Sequence, residues 1–391
     1  MQPVWAGHPW IFAQGLEKQK AKIVHGEEVE VGDARGNVLG RGFYSEGSAI
    51  AVRLFTRDPF EAFDTQFVER RLAAAAERRQ LLGLDPIAKE GAQRTPSGMT
   101  TTGYRAFHGE GDGIPGLVVD RFEDTLVLQL GSAGLAQHRD QILDALEAHF
   151  RPRAILDQTS PKAAAADRFE AKHGLARGVE PEALRFSERD IQYDLPLSLA
   201  QKTGFYFDQR PLRERVEALA FGKTVLDCYS YVGPAGLAAA RGGASRVLCV
   251  DSSAPALEVG RRIAQSNGLR VEFEKADSLA YLNGTEFLWD LVISDPPKLA
   301  QSRAGRDKAA HAFRRIAASS ARAVAPGGLL VLSSCSAALG LREVERSLAL
   351  GARDSGRHAT TLERLFQGPD HPVPPAFPEG LYLTTVIAQI T

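Results

Sequence analysis

From Phe221 onward the chain alternates short apolar runs with helical stretches, and this alternation limits its possible folds more than any other feature. Residues 224–227, 246–251, 271–273, 291–295 and 329–333 read as strands, while 234–241, 254–266 and 308–324 carry helical spacing. Strands separated by helices at this interval specify an α/β architecture, a parallel, doubly wound sheet. In such sheets ligands bind at the carboxyl ends of the strands, where the strand order reverses. The strand ends are therefore the place to look for chemistry.

The first half has a different grammar. Residues 1–72 are β-rich: Glu28-Val29-Glu30-Val31 alternates, Gly32-Asp33 and Arg35-Gly36-Asn37 supply turns, and 38–44 and 49–55 read as further strands. A helix is expected over 64–82, with Phe67, Leu72 and Ala75 on one face and many arginines on the other, either solvated or turned to RNA. Residues 73–190 suggest a small central α+β domain, with strands at 117–119, 125–130 and 154–156 and a helix over 135–150. A further strand at 191–199 opens the C-terminal domain, 191–391. Three domains suit a chain of 391 residues.

Composition excludes several classes. The chain is 44% hydrophobic and 24% charged, and it has no apolar run of membrane-spanning length. Met1 to Trp10 lacks the charged and apolar regions of a secretory signal. Its three cysteines, Cys228, Cys249 and Cys335, show no C-x-x-C spacing, which points to a reducing, cytoplasmic compartment and to no structural metal. The 47 Lys and Arg are balanced by 48 Asp and Glu. Phosphate contacts need a basic excess, so any nucleic-acid surface must be local.

Four carboxylates fall at or just beyond the ends of successive strands in the C-terminal half. Asp227 ends the first strand, Gly233 and Gly236 occupy the turn, and Asp251 followed by Ser252 ends the second. A glycine turn lets backbone approach a ligand, and a strand-end carboxylate can accept from ribose hydroxyls. The turn is too sparse in glycine to cradle a pyrophosphate, which disfavours a dinucleotide and suits S-adenosylmethionine. Asp277 is placed either to accept from an adenine amino group or simply to cap the following helix. Asp295-Pro296-Pro297 follows the fourth strand; two prolines stiffen the loop and hold Asp295 and its neighbours against a planar base or an amine. Cys335, after the fifth strand, is either a small buried hydrophobe or a nucleophile able to add to C6 of a cytosine and so activate C5. Cys228 and Cys249 lie within strands and read as core.

The string Gln201-Lys202-Thr203-Gly204-Phe205-Tyr206-Phe207-Asp208-Gln209-Arg210 is more specific. Together with Asp227-Cys228-Tyr229-Ser230-Tyr231, Gly242-Gly243-Ala244, Asp251-Ser252-Ser253, Asp295-Pro296-Pro297-Lys298 and Ser334-Cys335-Ser336, it resembles the bacterial 23S rRNA cytosine-5 methyltransferase family. Gly7-His8-Pro9-Trp10-Ile11-Phe12 is similar to the opening of that family's PUA domain. His108-Gly109-Glu110-Gly111-Asp112-Gly113-Ile114-Pro115-Gly116-Leu117 resembles its middle domain, and Asp370-His371-Pro372-Val373 its C-terminal segment. The resemblance implies a PUA domain, a central α+β domain and a Rossmann-like class I methyltransferase domain.

It further implies S-adenosyl-L-methionine as cofactor, 23S rRNA as partner, no membrane, and room for a homodimer. By resemblance Cys335 is the nucleophile, with Asp295 beside it in catalysis. Lys202, Thr203, Phe205 and Asp208 would flank the cofactor or target base, joining Asp227, Tyr229, Gly233, Asp251, Ser252, Asp277, Asp295 and Pro296 in the cofactor site. Two other readings stay open: methylation of a nitrogen on guanine or another acceptor without a cysteine, and an RNA-binding protein that has lost catalysis. The turn Tyr231-Val232-Gly233-Pro234-Ala235, where the family carries Y-T-G-G-F, motivates the last.

Overall fold

The computed structural model describes residues 4–17, 22–84, 99–199, 204–299, 305–336 and 339–391. Near the N-terminus, β1 (Trp10–Phe12), β2 (Glu28–Gly32), β3 (Val38–Tyr44) and β4 (Ile50–Thr56) form an antiparallel sheet in the order β1-β4-β3-β2. The helix that follows, α1 (Thr65–Leu81), starts where Asp64 accepts from the Phe67 N–H at 2.7 Å, which satisfies one of the unpaired donors of the first turn. Its arginine-rich face is only partly solvated. Arg70 is more than half exposed, but Arg79 is 1% exposed and pairs with Asp112 at 2.7 Å.

The central sheet runs β5-β6-β7-β8-β9, comprising β5 (Gly103–His108), β6 (Leu117–Phe122), β7 (Thr125–Leu130), β8 (Ala154–Gln158) and β9 (His173–Gly178). Only β7 and β8 pair in parallel. The short α2 (Gly109–Asp112) follows β5, α3 (Ala133–Gln137) and α4 (Arg139–Phe150) cross between β7 and β8, and α5 (Pro161–Ala166) precedes β9. The single helix expected over 135–150 is thus two. Ser132 caps an earlier start, and the chain breaks at His138, whose ring packs 5.2 Å from Phe43 and 5.1 Å from Phe63. A hairpin of β10 (Ala183–Glu188) and β11 (Ile191–Pro196) completes this half. Sequence periodicity missed β5 because a register shift between Arg105 and Phe107 breaks its alternation, leaving Ala106 and Phe107 both buried.

The N-terminal and central sheets share one core, in which Phe43, Phe55, Phe63 and Phe67 join Leu117, Leu128, Leu143 and Ile155. Gly134 permits this closeness, since a Cβ there would lie 2.2 Å from the Phe43 ring. The chain divides into two compact units. One comprises Met1–Phe207 with Pro369–Gly380, the other Asp208–Gly368 with Leu381–Thr391. The expected boundary at 72/73 falls inside α1, and that at 190/191 falls in the β10–β11 turn.

The second unit is built on α6 (Arg210–Leu219), β12 (Thr224–Cys228), α7 (Pro234–Arg241), β13 (Arg246–Asp251), α8 (Ala254–Ser266), β14 (Glu272–Lys275), α9 (Ser278–Gly284), β15 (Trp289–Ser294), α10 (Arg306–Ala323), β16 (Val324–Ser334), α11 (Leu341–Asp354), β17 (Ala359–Phe366) and β18 (Thr384–Ile390). Its sheet order is β14-β13-β12-β15-β16-β18-β17. The five strands from β14 to β16 are parallel as expected, whereas β18 runs antiparallel to both of its neighbours. Strand order reverses between β12 and β15, so the switch point lies at their carboxyl ends. Among the described residues no helix is long and apolar enough to cross a membrane.

A buried ion network holds the first unit together. Asp112 accepts from Arg78, Arg79 and the His108 N–H; Arg79 also donates to the Asp370 carbonyl at 2.7 Å. His371 lies 3.0 Å from the Asp370 carboxylate and 4.9 Å from the His108 ring. Burial, then the charges of His371, Arg105 and Arg79, push the His108 imidazole well below its usual range and keep it neutral. Asp112→Ala strands the buried Arg79 charge; we expect a loss of roughly 3–5 kcal/mol in the unfolding of this unit, read by urea denaturation.

Candidate cofactor and active site

The expected site residues that the structure brings together all sit at the carboxyl edge of the second unit's sheet. β12 leads into Tyr229, β13 ends at Asp251, β14 leads to Asp277, β15 to Asp295, and β16 to Cys335. Register places Cys228 beside both Val250 and Ser294, and Ser294 beside Leu332, so the strand ends are level.

Asp227 is the hidden member of this set. It is 3% exposed, accepts from the Gly236 N–H at 2.9 Å, and lies 3.9 Å from the Cys249 thiol. It therefore holds the first turn of α7 against the sheet instead of presenting itself to solvent. Burial pushes its carboxyl up to about 7; the Gly236 N–H lowers it, and the charges of Asp295 and Asp251 raise it further. Gly236 is required for this approach, since a Cβ there would sit 2.3 Å from Cys249 Sγ. Pro234 occupies the first helical turn, where a missing N–H costs no helical hydrogen bond. The departure at Gly233-Pro234-Ala235 is thus compatible with a well-formed helix start.

Between β12 and α7 the backbone turns left-handed at alternate residues: Tyr229 at φ 60°, Tyr231 at 56° and Gly233 at 78°. For tyrosine this conformation is strained, and such strain gathers where structure serves a ligand. Neighbouring groups hold it in place. The Tyr229 N–H donates to Ser278 Oγ, that of Ser230 to the Val250 carbonyl, and that of Tyr231 to Asp251 Oδ2. Asp251 uses its other oxygen to accept from the Ser253 N–H at 2.8 Å. Ser252 is exposed beside it. Asp277 accepts from the Ala280 N–H at 2.8 Å, so the capping role is realised. Burial also raises the Tyr229 phenol.

Asp295 is half-buried, with Pro296 buried behind it, and it accepts from Gln209 Nε2 at 2.8 Å. Asp208, next to Gln209, accepts from the Tyr382 hydroxyl at 2.7 Å. Cys335 is half-buried, while Cys228 and Cys249 are fully buried core thiols that burial pushes well up. Phe205 belongs to the first unit, where it packs 4.9 Å from Phe186 and 5.0 Å from Tyr193 at 4% exposure. These ring contacts give it a packing role. Lys202 and Thr203 lie outside the described residues. Gln209, Ser278 and Tyr382 were not singled out from the sequence, although Gln209 stood inside the quoted string. A cavity of about 250 Å³ in the first unit, lined by residues including His25, Arg139 and Thr159, contains none of these groups.

The donor and acceptor inventory suits S-adenosylmethionine, a ligand bearing ribose hydroxyls, amino groups and a sulfonium cation. The site offers the carboxylates of Asp251, Asp277 and Asp295, and it contains buried oxygens with no hydrogen-bond partner among the described residues, Asp208 Oδ1 and Ser230 Oγ. Unpaired acceptors and neighbouring carboxylates favour a donor-rich cation. Among the described residues no cluster of His, Cys, Asp or Glu is placed to hold a metal ion.

The raised Asp227 carboxyl has a direct consequence for stability. Its contribution is fully present below the ordinary carboxylate value and is lost as pH rises through about 7. Asp227→Asn, neutral at every pH, removes this loss. The stability of the variant relative to the parent should rise by about 1 kcal/mol between pH 6 and pH 8, measured by chemical denaturation without cofactor.

Residues 2–57 match the family model of a PUA-like domain, and residues 168–380 that of an S-adenosylmethionine-dependent methyltransferase. Ribosomal RNA large subunit methyltransferase I of Photobacterium profundum is 35% identical over 96% of this chain and 94% of the relative. The protein of the same name from Shewanella amazonensis is 36% identical over 98% and 95%. The crystal structure of SMU.776 complexed with SAH superposes with a TM-score of 0.82 over 99% of this chain and 96% of that one, at 18% identity, and so shares the fold. Identity of about a third over nearly the whole length, joined to the strand-end site, establishes that the chain belongs to the ribosomal RNA large subunit methyltransferase I family and is an S-adenosylmethionine-dependent methyltransferase.

Proposed function

We propose that the protein methylates C5 of a cytosine in 23S rRNA through a covalent adduct of Cys335. The observation that carries this reading is the placement of the three thiols: Cys228 and Cys249 are sealed in the core, while Cys335 is half-buried just past β16, the strand beside the one leading to Asp295. The names of the relatives supply the large-subunit rRNA, and the PUA-like domain supports an RNA partner.

In this reading the Cys335 thiolate forms a bond to C6 of the ring, and the electron pair of the C5–C6 double bond moves to make C5 nucleophilic. Asp295, held by Gln209 and stiffened by Pro296, orients the base. When bound, S-adenosylmethionine supplies an electrophilic methyl group on its sulfonium to that carbon. Transfer of the C5 proton to solvent water then reforms the C5–C6 double bond and expels the Cys335 thiolate, so the enzyme returns unchanged. Asp251, Asp277 and the Tyr229–Gly233 loop would hold the cofactor, with Asp208 close by. A cytoplasmic setting, with thiols kept reduced, suits this chemistry.

Cys335→Ala should abolish formation of 5-methylcytosine, measured by mass mapping of rRNA incubated with the purified protein. Cofactor affinity, measured by calorimetric titration, should stay within about twofold. Full methyl transfer by the variant would exclude the covalent route and move the reading to a nitrogen acceptor. The homodimer expected from the family resemblance is tested by static light scattering, where a monomer's mass would discard it.

A further inference from the structure

Gln209 ends the short turn Phe207–Gln209 ahead of α6 and is 8% exposed. Its Nε2 donates to Asp295 Oδ2 at 2.8 Å across 86 residues of sequence. An ionised carboxylate only accepts, so this bond fixes the amide's orientation, nitrogen toward Asp295 and carbonyl oxygen away. That carbonyl oxygen is buried and meets no donor among the described residues. Leaving a buried acceptor unpaired is costly, and a native site that keeps one invites a donor from outside.

The position of this acceptor narrows the donor. Asp251 and Asp277, the carboxylates suited to ribose and adenine, follow β13 and β14 on one side of β12. Asp295 follows β15 on the other side, and β16 beyond it leads to Cys335. The Gln209 acceptor therefore belongs with the nucleophile's half of the strand ends.

We propose that Gln209 reads the exocyclic amine of the target base, its carbonyl oxygen and the Asp295 carboxylate accepting the two N–H groups of an aminopyrimidine. The inference rests on cytosine as the substrate and adds the group that separates it from uracil, whose C4 carbonyl oxygen would face two acceptors.

Two variants test it, assayed as purified full chain with unmethylated large-subunit rRNA and with short RNAs carrying cytosine or uracil at the modified position. Gln209→Met removes donor and acceptor and should lower kcat/KM on the cytosine substrate by about 10- to 100-fold at every pH. Gln209→Glu should be similarly impaired at neutral pH, where its carboxylate opposes Asp295. It should then recover relative to the parent as pH falls, because the protonated acid restores both an O–H donor and a carbonyl acceptor. S-adenosylmethionine affinity should stay within about twofold in both. Parental activity in Gln209→Met, or cofactor binding weakened as much as turnover, overturns the proposal. A Gln209→Glu ratio that stays flat with pH also overturns it. If the parent protein itself makes no 5-methylcytosine, the cytosine reading fails first, and the wild-type assay shows this separately.

Discussion

A single carboxylate at the end of β12 organises the catalytic unit. Asp227 gives up solvent to accept from the Gly236 N–H, and this bond seats the first turn of α7 on β13 so closely that Gly236 has no room for a side chain. Everything at the strand ends inherits that placement. The loop from Tyr229 to Gly233 must cover the short distance between strand and helix in left-handed steps. The donors of that loop in turn fix Asp251 and bring in Ser278 from α9. Burial of Asp227 is unfavourable to its charge, and the nearby Asp295 and Asp251 make it more so. A positively charged ligand bound near these carboxylates would reverse that balance.

The strand-end carboxylates differ in what holds them. Asp227 and Asp277 are carboxylates at the right strand ends, yet both accept from helix N–H groups. Asp251 does double duty, since each of its oxygens accepts one backbone N–H and retains further lone pairs. Asp295 accepts from a side chain, which ties its orientation to chemistry at Gln209. Pro296, buried behind it, limits how far that orientation can change.

Much of this was legible from residues alone, for identifiable reasons. The helices at 234–241 and 254–266 emerge with their expected limits because their starts are written locally: Gly233 before Pro234, and Ser253 capping the Ala256 N–H. The order of strand-end carboxylates followed from the same punctuation. What escaped has long-range causes. The antiparallel strand β18 pairs with β16 across some fifty residues, Ser333 lying opposite Thr385. The hydrogen bond of Gln209 to Asp295 spans 86 residues, and the packing of Phe205 on Phe186 and Tyr193 is equally invisible to local pattern. Gly134 lets the N-terminal and central sheets share a core, a packing fact that no local pattern records.

The segment from Pro369 to Gly380 has a consequence for how the protein is made. It belongs to the first unit, and it brings Asp370 to Arg79 and Arg105 and His371 to His108, although the rest of that unit ends at Phe207. A ribosome synthesising the chain from its N-terminus therefore releases the sheets of the first unit long before their last buried partner exists. Until Asp370 emerges, Arg79 lacks its carbonyl and the Arg105 N–H lacks its carboxylate. Completion of this buried network is thereby deferred until residues 369–380 are made, after the parallel strands of the second unit.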